Sequence, residues 1–235
     1  MALGVWLGSV VASGDARASN RYLEFVPEET AAETPASRYA NLTNRQAYAE
    51  VQRRGIPYRR VTEAPGVRAP IRLTGPLHGV TIHSSLPEAE RADSPYEILD
   101  ARLALALDDL CRILAVHDVV EVVHFTMYRP GGVSPKAQDL TRHPAGLAID
   151  LGAIKKSNGE WLSVGIHWAE QIGAKTCGEG ARKLKPRRGR ELVSILCEAA
   201  DQRLFHYMLS PHFNEAHHDH FHLEIKPHGN WFLVN

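Results

Sequence analysis

The chain has 235 residues, 44% hydrophobic and 23% charged, a balance that fits one well-buried globular domain with appendages. Its 27 basic and 27 acidic side chains cancel, so no global field argues for a nucleic-acid or acidic-membrane partner. Histidine is the anomaly: there are 13, crowding toward the C-terminus as His206, His212, His217, His218, His220, His222 and His228. Their irregular spacing, broken by apolar residues, excludes a purification tag.

Leu3 to Val11 is a short apolar run, and Ala16-Arg17-Ala18 has the small-x-small form of a signal-peptidase site. Residues 1–18 are therefore expected to be a signal peptide or its remnant, and the chain to be exported to the periplasm or cell envelope. The run is too short to cross a bilayer, and nothing later reaches the roughly 18 apolar residues a transmembrane helix needs. Residues 19–40, polar and rich in Glu, Thr, Ala and Pro, predict a linker, which leaves 41–235 as a single domain.

Within that domain, Thr43 caps a predicted helix through Ala49 and Val51, with Gly55 ending it and Pro57 just beyond. Ile56 to Val61, Ile71 to Leu73 and Val80 to Ile82 predict short strands between turn signals. Ser94-Pro95-Tyr96-Glu97 is a helix start, with a capping Ser, Pro at the first helical position and Glu three after the cap. The apolar face that follows, from Ile98 to Leu114, predicts one long helix to about Val116. Val119 to Met127 turns β-rich and ends at Tyr128-Arg129-Pro130-Gly131-Gly132. Gly146 to Ile154 predicts a second strand, Glu191 to Ala200 a helix, and His220 to Ile225 a third strand. Strands and helices mixed without regular βαβ repetition predict an α+β fold.

Other features have plain readings. Cys111, Cys177 and Cys197 lack the paired spacing of a zinc ribbon. Cys111 and Cys197 lie in apolar helical patterns and read as buried free thiols, and at most one disulfide can close. The basic run Arg182 to Arg190 lacks interleaved aromatics and reads as a solvated loop, not as a nucleic-acid site. Trp161 and Trp168 flank a strand-like piece, Leu162 to Ile166, and read as core rather than as walls of a groove.

The chemistry concentrates in two segments. In Asp219-His220-Phe221-His222-Leu223-Glu224-Ile225, a period of two puts His220, His222 and Glu224 on one face and Phe221, Leu223 and Ile225 on the other. One face packs into a core, and the other presents two imidazoles to a shared metal. In the second segment, His143 to Asp150, a loop His precedes a small-residue strand that delivers an Asp. Together the segments supply His, Asp and His, three ligands with a fourth position open, the stoichiometry of a catalytic zinc site.

The His-x6-Asp and His-x-His set resembles the metallopeptidase superfamily of lysostaphin, the D-Ala-D-Ala peptidases and hedgehog. More specifically, the chain resembles the bacterial extensin-like C-terminal domain family. The matching stretches are Arg53 to Ile56, Ile71 to Leu77, Tyr128-Arg129, Arg142 to Asp150 and Leu209 to Glu224, in family order over roughly residues 41–226. The resemblance implies a small, mostly antiparallel sheet carrying the metal and flanked by helices. It implies zinc on His143, Asp150 and His222, and hydrolysis of peptidoglycan stem peptides as a D,D-carboxypeptidase or endopeptidase. The alternative it leaves open is a zinc-stabilised cell-wall-binding module that cuts nothing. The family commonly carries cysteines near the positions of Asp100, Tyr128 and Asp201, and this chain does not, so the family's disulfides are expected to be absent.

His220 shares a face with His222 and is the expected proton-transfer group, with Asp219 in reserve because a strand would point it away from the metal. Arg129 resembles the arginine that superfamily relatives use to hold a substrate carboxylate or carbonyl, a task suited to a guanidinium fork. Glu224 either fixes the tautomer of a liganding imidazole or makes an ordinary cross-strand pair. His217 is either a supporting group behind the ligands or a surface histidine.

Overall fold

The computed structural model describes residues 22–131 and 143–235. The expected leader, 1–18, lies outside the described residues. The expected linker is corrected from residue 22 onward. Leu23–Phe25 form a strand, β1, followed by two short helices, α1 (Glu28–Glu33) and α2 (Pro35–Ala40). Thr34 caps α2 by accepting from the Ser37 N–H at 3.4 Å, with Pro35 opening the helix. Ala31, Ala36, Ser37, Tyr39 and Ala40 are buried. Small side chains let these turns lie close on the core, a packing that leaves no apolar periodicity.

Helix α3 (Asn44–Arg53) carries the capping box of Thr43 and Gln46, and Gly55, at φ +68°, lies just past its end. Strands β2 (Tyr58–Arg60), β3 (Pro70–Leu73) and β4 (Thr81–Ser84) follow, then a one-turn helix, α4 (Glu88–Arg91). Ser94 caps only a 3-10 turn, Pro95–Glu97, so the expected long helix is broken. The chain extends through β5 (Leu99–Asp100) and restarts as α5 (Ala101–Val116). The break belongs to Asp100, whose carboxylate accepts from the Arg102 N–H at 3.0 Å, from the Ala69 N–H at 2.9 Å and from the Arg102 guanidinium at 2.8 Å. These bonds satisfy a buried charge that a continuous helix would leave unpaired.

Strand β6 (Val119–His124) leads to β7 (Ala148–Lys156), β8 (Trp161–Ser163), a short helix α6 (Val164–His167) and α7 (Arg187–Asp201). The basic run is therefore only partly a loop. Arg187 opens α7, and the Arg187 and Arg188 guanidiniums both pair with Glu160. The chain ends in β9 (Tyr207–Leu209), β10 (Phe221–Glu224) and β11 (Trp231–Val234).

The main sheet has eight strands in the order β1-β11-β9-β10-β7-β6-β4, with β8 on β7. It is antiparallel except for β9 with β11 and β4 with β6. A second sheet, β2-β3-β5, is antiparallel. The α+β expectation holds. Helices α5 and α7 cover one face of the main sheet, where Leu110, Leu114, Leu192 and Leu196 meet Leu151, Ile154, Phe221 and Leu223. Each such side chain contributes roughly 1.5–3 kcal/mol on burial. Leu151 and Ile154 both reach this face because the β6–β7 register skips Gly152. The ring of Phe125 lies over Gly152, where an added Cβ would sit 2.9 Å from it.

Cys177 and Cys197 form a disulfide, which corrects the reading of Cys197 as a free thiol. It ties the loop before α7 to that helix and closes a separation of 20 residues, worth about 3 kcal/mol. Cys111 is buried and free, as expected, and burial pushes its thiol up. Trp168 is buried against His212 and Phe221, whereas Trp161 is 40% exposed, so the core reading holds for the first and fails for the second. Among the described residues, no helix is long and apolar enough to cross a membrane.

Gly146 couples the fold to the turn before β7. It has φ +64°, its carbonyl accepts from the Asp100 N–H at 2.9 Å, and an added Cβ would lie 2.8 Å from that nitrogen. Gly146→Ala is expected to lower stability by about 1–3 kcal/mol through strain and clash together. Urea denaturation of the purified variant checks this, and an unchanged midpoint would contradict it.

Candidate metal centre

Two β-strands and one turn build the centre. His143 opens a 3-10 turn, His143–Ala145, whose carbonyl accepts from the Arg129 and Gly146 N–H groups at 3.3 and 3.0 Å. Its imidazole Nδ1 donates to the Met127 carbonyl at 3.2 Å. Asp150 lies within β7, its backbone tied to Thr126 O at 3.1 Å and to the Phe125 N–H at 2.8 Å. On the other edge of β7, the register sets His222 of β10 directly opposite Asp150. The ladder therefore aims both side chains to the same face.

The three groups meet around one carboxylate oxygen. Asp150 Oδ1 is 3.1 Å from His143 Nε2 and 3.0 Å from His222 Nδ1. Ligand atoms of all three lie within 4.8 Å of one another, and all three residues are buried. His222 Nε2 donates to Glu224 Oε2 at 3.0 Å. Each imidazole thus gives its outer N–H to an acceptor behind it and turns its other nitrogen inward. A metal-binding histidine needs that arrangement. Of the two readings of Glu224, the structure has the one in which it hydrogen-bonds the His222 imidazole. Two nitrogens and one oxygen are a donor set that suits zinc.

His220, just before β10, turns its Nε2 to 3.5 Å from Asp150 Oδ1. Its Nδ1 donates to Asp219 at 2.8 Å. Asp219 thus stands behind His220, and the two residues form a chain rather than competing for one position. Gly165 gives Asp219 its room, since a Cβ there would lie 3.0 Å from the Asp219 Cβ. The His217 ring sits 5.2 Å from that of His220 and 5.9 Å from that of His222, and its Nδ1 meets Asn214 Oδ1 at 2.7 Å. Arg129 reaches Asp150 Oδ2 at 3.4 Å while its side chain stays 60% exposed at the mouth. Arg129, His217 and His220 line a cleft of about 600 Å³ with Tyr207, Leu209, Phe213 and Leu233.

The remaining clustered histidines do not join the centre. His206 and His212 are buried and held neutral, with burial pulling both down to about 4. His206 Nδ1 accepts from the Lys226 N–H, and His212 Nδ1 from the Gln171 N–H. His218 and His228 are exposed. Sequence reading missed the apolar wall, because β9 and β11 are too short to show a period. Phe125, with its ring 5.7 Å from that of His220, was absorbed into the expected strand.

The sequence model of the family described as Extensin-like protein C-terminus matches residues 47–234. The chain belongs to this family. No curated protein and no solved structure matches it.

Burial pulls His222 down, but its contacts with Asp150 and Glu224 outweigh that and raise it to about 9. Burial likewise opposes ionisation of Asp150, yet His143 and His222 hold its carboxyl well below the usual range. In zinc-free protein the His222 contribution is full below its ordinary value of 6.5 and is lost as pH rises through about 9. The Asp150 contribution is present above its ordinary value of 3.8 and is lost as pH falls. Chelator-treated protein is therefore expected to lose up to roughly 3 kcal/mol between neutral pH and pH 9–10. A metal held by these residues would follow the opposite trend, binding more tightly as pH rises because it must displace the His222 proton. Urea unfolding across that range tests the first expectation, and a flat profile would contradict it.

Proposed function

We propose that this extensin-like domain is an exported zinc metallopeptidase that hydrolyses peptide bonds in peptidoglycan stem peptides. In this reading it belongs with the superfamily of lysostaphin, the D-Ala-D-Ala peptidases and hedgehog. The observation that carries it is the convergence of His143, Asp150 and His222 on one side of an open cleft, with the His220–Asp219 pair beside them. A closed structural zinc site takes a fourth protein ligand, and a catalytic one keeps that position for water or substrate.

His143 Nε2, the Asp150 carboxylate and His222 Nδ1 would hold the zinc. When bound, zinc supplies Lewis acidity toward a carbonyl and lowers the pKa of water. His220 moves the proton at Nε2, taking it from the attacking water and returning it to the leaving amine. Asp219, hydrogen-bonded to Nδ1, holds the ring in that tautomer and stabilises it when charged. Arg129, at the mouth, binds a substrate carboxylate or carbonyl through its guanidinium fork. Tyr207, Phe213 and Leu233 give the cleft an apolar wall. The Cys177–Cys197 disulfide supports export, since such bonds persist in oxidising compartments.

Digestion of purified muropeptides, read by chromatography of the fragments, tests this account. Asp150→Ala is expected to abolish both turnover and zinc retention. His220→Ala is expected to keep zinc and lower turnover by about 10²–10⁴-fold. Native turnover by His220→Ala would end its assigned role. Zinc-loaded wild type that binds peptidoglycan and releases no fragment would make the domain a wall-binding module instead.

A further inference from the structure

The sheet face that carries the metal centre continues beyond it. On one edge of β7, β10 pairs with Ala148–Leu151 and β8 takes over along Ala153–Lys155. The skipped Gly152 sends Leu151 and Ile154 to the helices and keeps Lys155 on the face of Asp150. Lys155 lies opposite Trp161 on β8 and opposite Glu121 on β6. Its ammonium is 5.2 Å from the centre of the indole and 3.3 Å from the Glu121 carboxylate. His83 Nε2 meets the other Glu121 oxygen at 2.9 Å. Phe125, resting on Gly152, stands between this group and His220. Trp161 is 40% and Phe125 36% exposed.

An exposed indole bordered by an ammonium, a carboxylate and an imidazole fits few partners. A helix or membrane partner needs a contiguous apolar patch, and here charge adjoins the indole. Nucleic acid needs unneutralised cations, and Lys155 is paired with Glu121. A pyranose ring fits both parts of the surface. Its C–H face stacks on the electron-rich indole, and its hydroxyl and acetamido groups bond the polar rim. The five residue steps from Asp150 to Lys155 span roughly 16 Å, the reach of four or five extended peptide residues.

We propose that the face from Phe125 to Trp161 is a glycan platform. It holds the sugar strand of a polymeric substrate on Trp161 while a peptide branching from that strand reaches the metal centre. This rests on the peptidoglycan reading and adds that the substrate is the polymer rather than a free peptide.

Co-sedimentation with insoluble peptidoglycan, and titration with peptide-stripped glycan strands, test it on zinc-loaded full-length chain. Trp161→Leu is expected to weaken both by about tenfold, with zinc content and turnover of a soluble, sugar-free stem peptide unchanged. Trp161→Phe keeps an aromatic face and is expected to retain most of the binding. Equal retention by the Leu and Phe variants, or Leu retention equal to wild type, would overturn the platform. Failure of wild type to cleave any stem peptide would sink the peptidase reading alone, because glycan retention is measured separately.

Discussion

A carboxylate in the middle of a buried strand is costly unless its charge is answered, and Asp150 is answered from several directions. Its side chain is 7% exposed, and His143, His222, His220 and Arg129 all direct nitrogens at its two oxygens. Desolvating one carboxylate costs several kcal/mol, so the arrangement persists only with cations or a metal around it. The neighbouring architecture follows from this demand. The β7–β10 register brings His222 across, the 3-10 turn brings His143 from one end, and the segment after β6 brings Arg129 to the mouth.

The two faces of the sheet divide the work. One is an apolar contact with α5 and α7, where Phe221 and Leu223 alternate with His222 and Glu224 of β10. The other holds the His143, Asp150 and His222 cluster and, farther along, Trp161. Because the alternation has a period of two, burying Phe221 and Leu223 turns His222 and Glu224 outward to the cleft. Core packing thus positions the chemistry without a separate device. The second layer works in the same way: Met127 O and Glu224 orient two imidazoles, and Asp219 orients a third.

What the sequence made legible was whatever had a local signature. The Thr43 capping box, the alternation of His220 to Ile225 and the His143 to Asp150 segment each carry their pattern within a few residues, and the structure places them as read. The failures share a different cause. Asp100 breaks the expected helix because of bonds to Ala69 and Arg102, a tertiary requirement that overrides a good capping signal at Ser94. Helices α1 and α2 pack through alanines, which leave no amphipathic stripe. The partner of Cys197 lies across a loop, so its apolar helical setting gave no hint of a disulfide. Trp161 and Trp168 look alike in sequence, yet one lies on the open sheet face and the other in the core.

The central claim is that His143, Asp150 and His222 hold one zinc ion. Elemental analysis of untagged protein, wild type beside His143→Ala, tests it most directly. The account predicts about one equivalent of zinc per chain in the wild type and little in the variant. Zinc-free wild type after refolding with the metal, or equal zinc in both proteins, would contradict it.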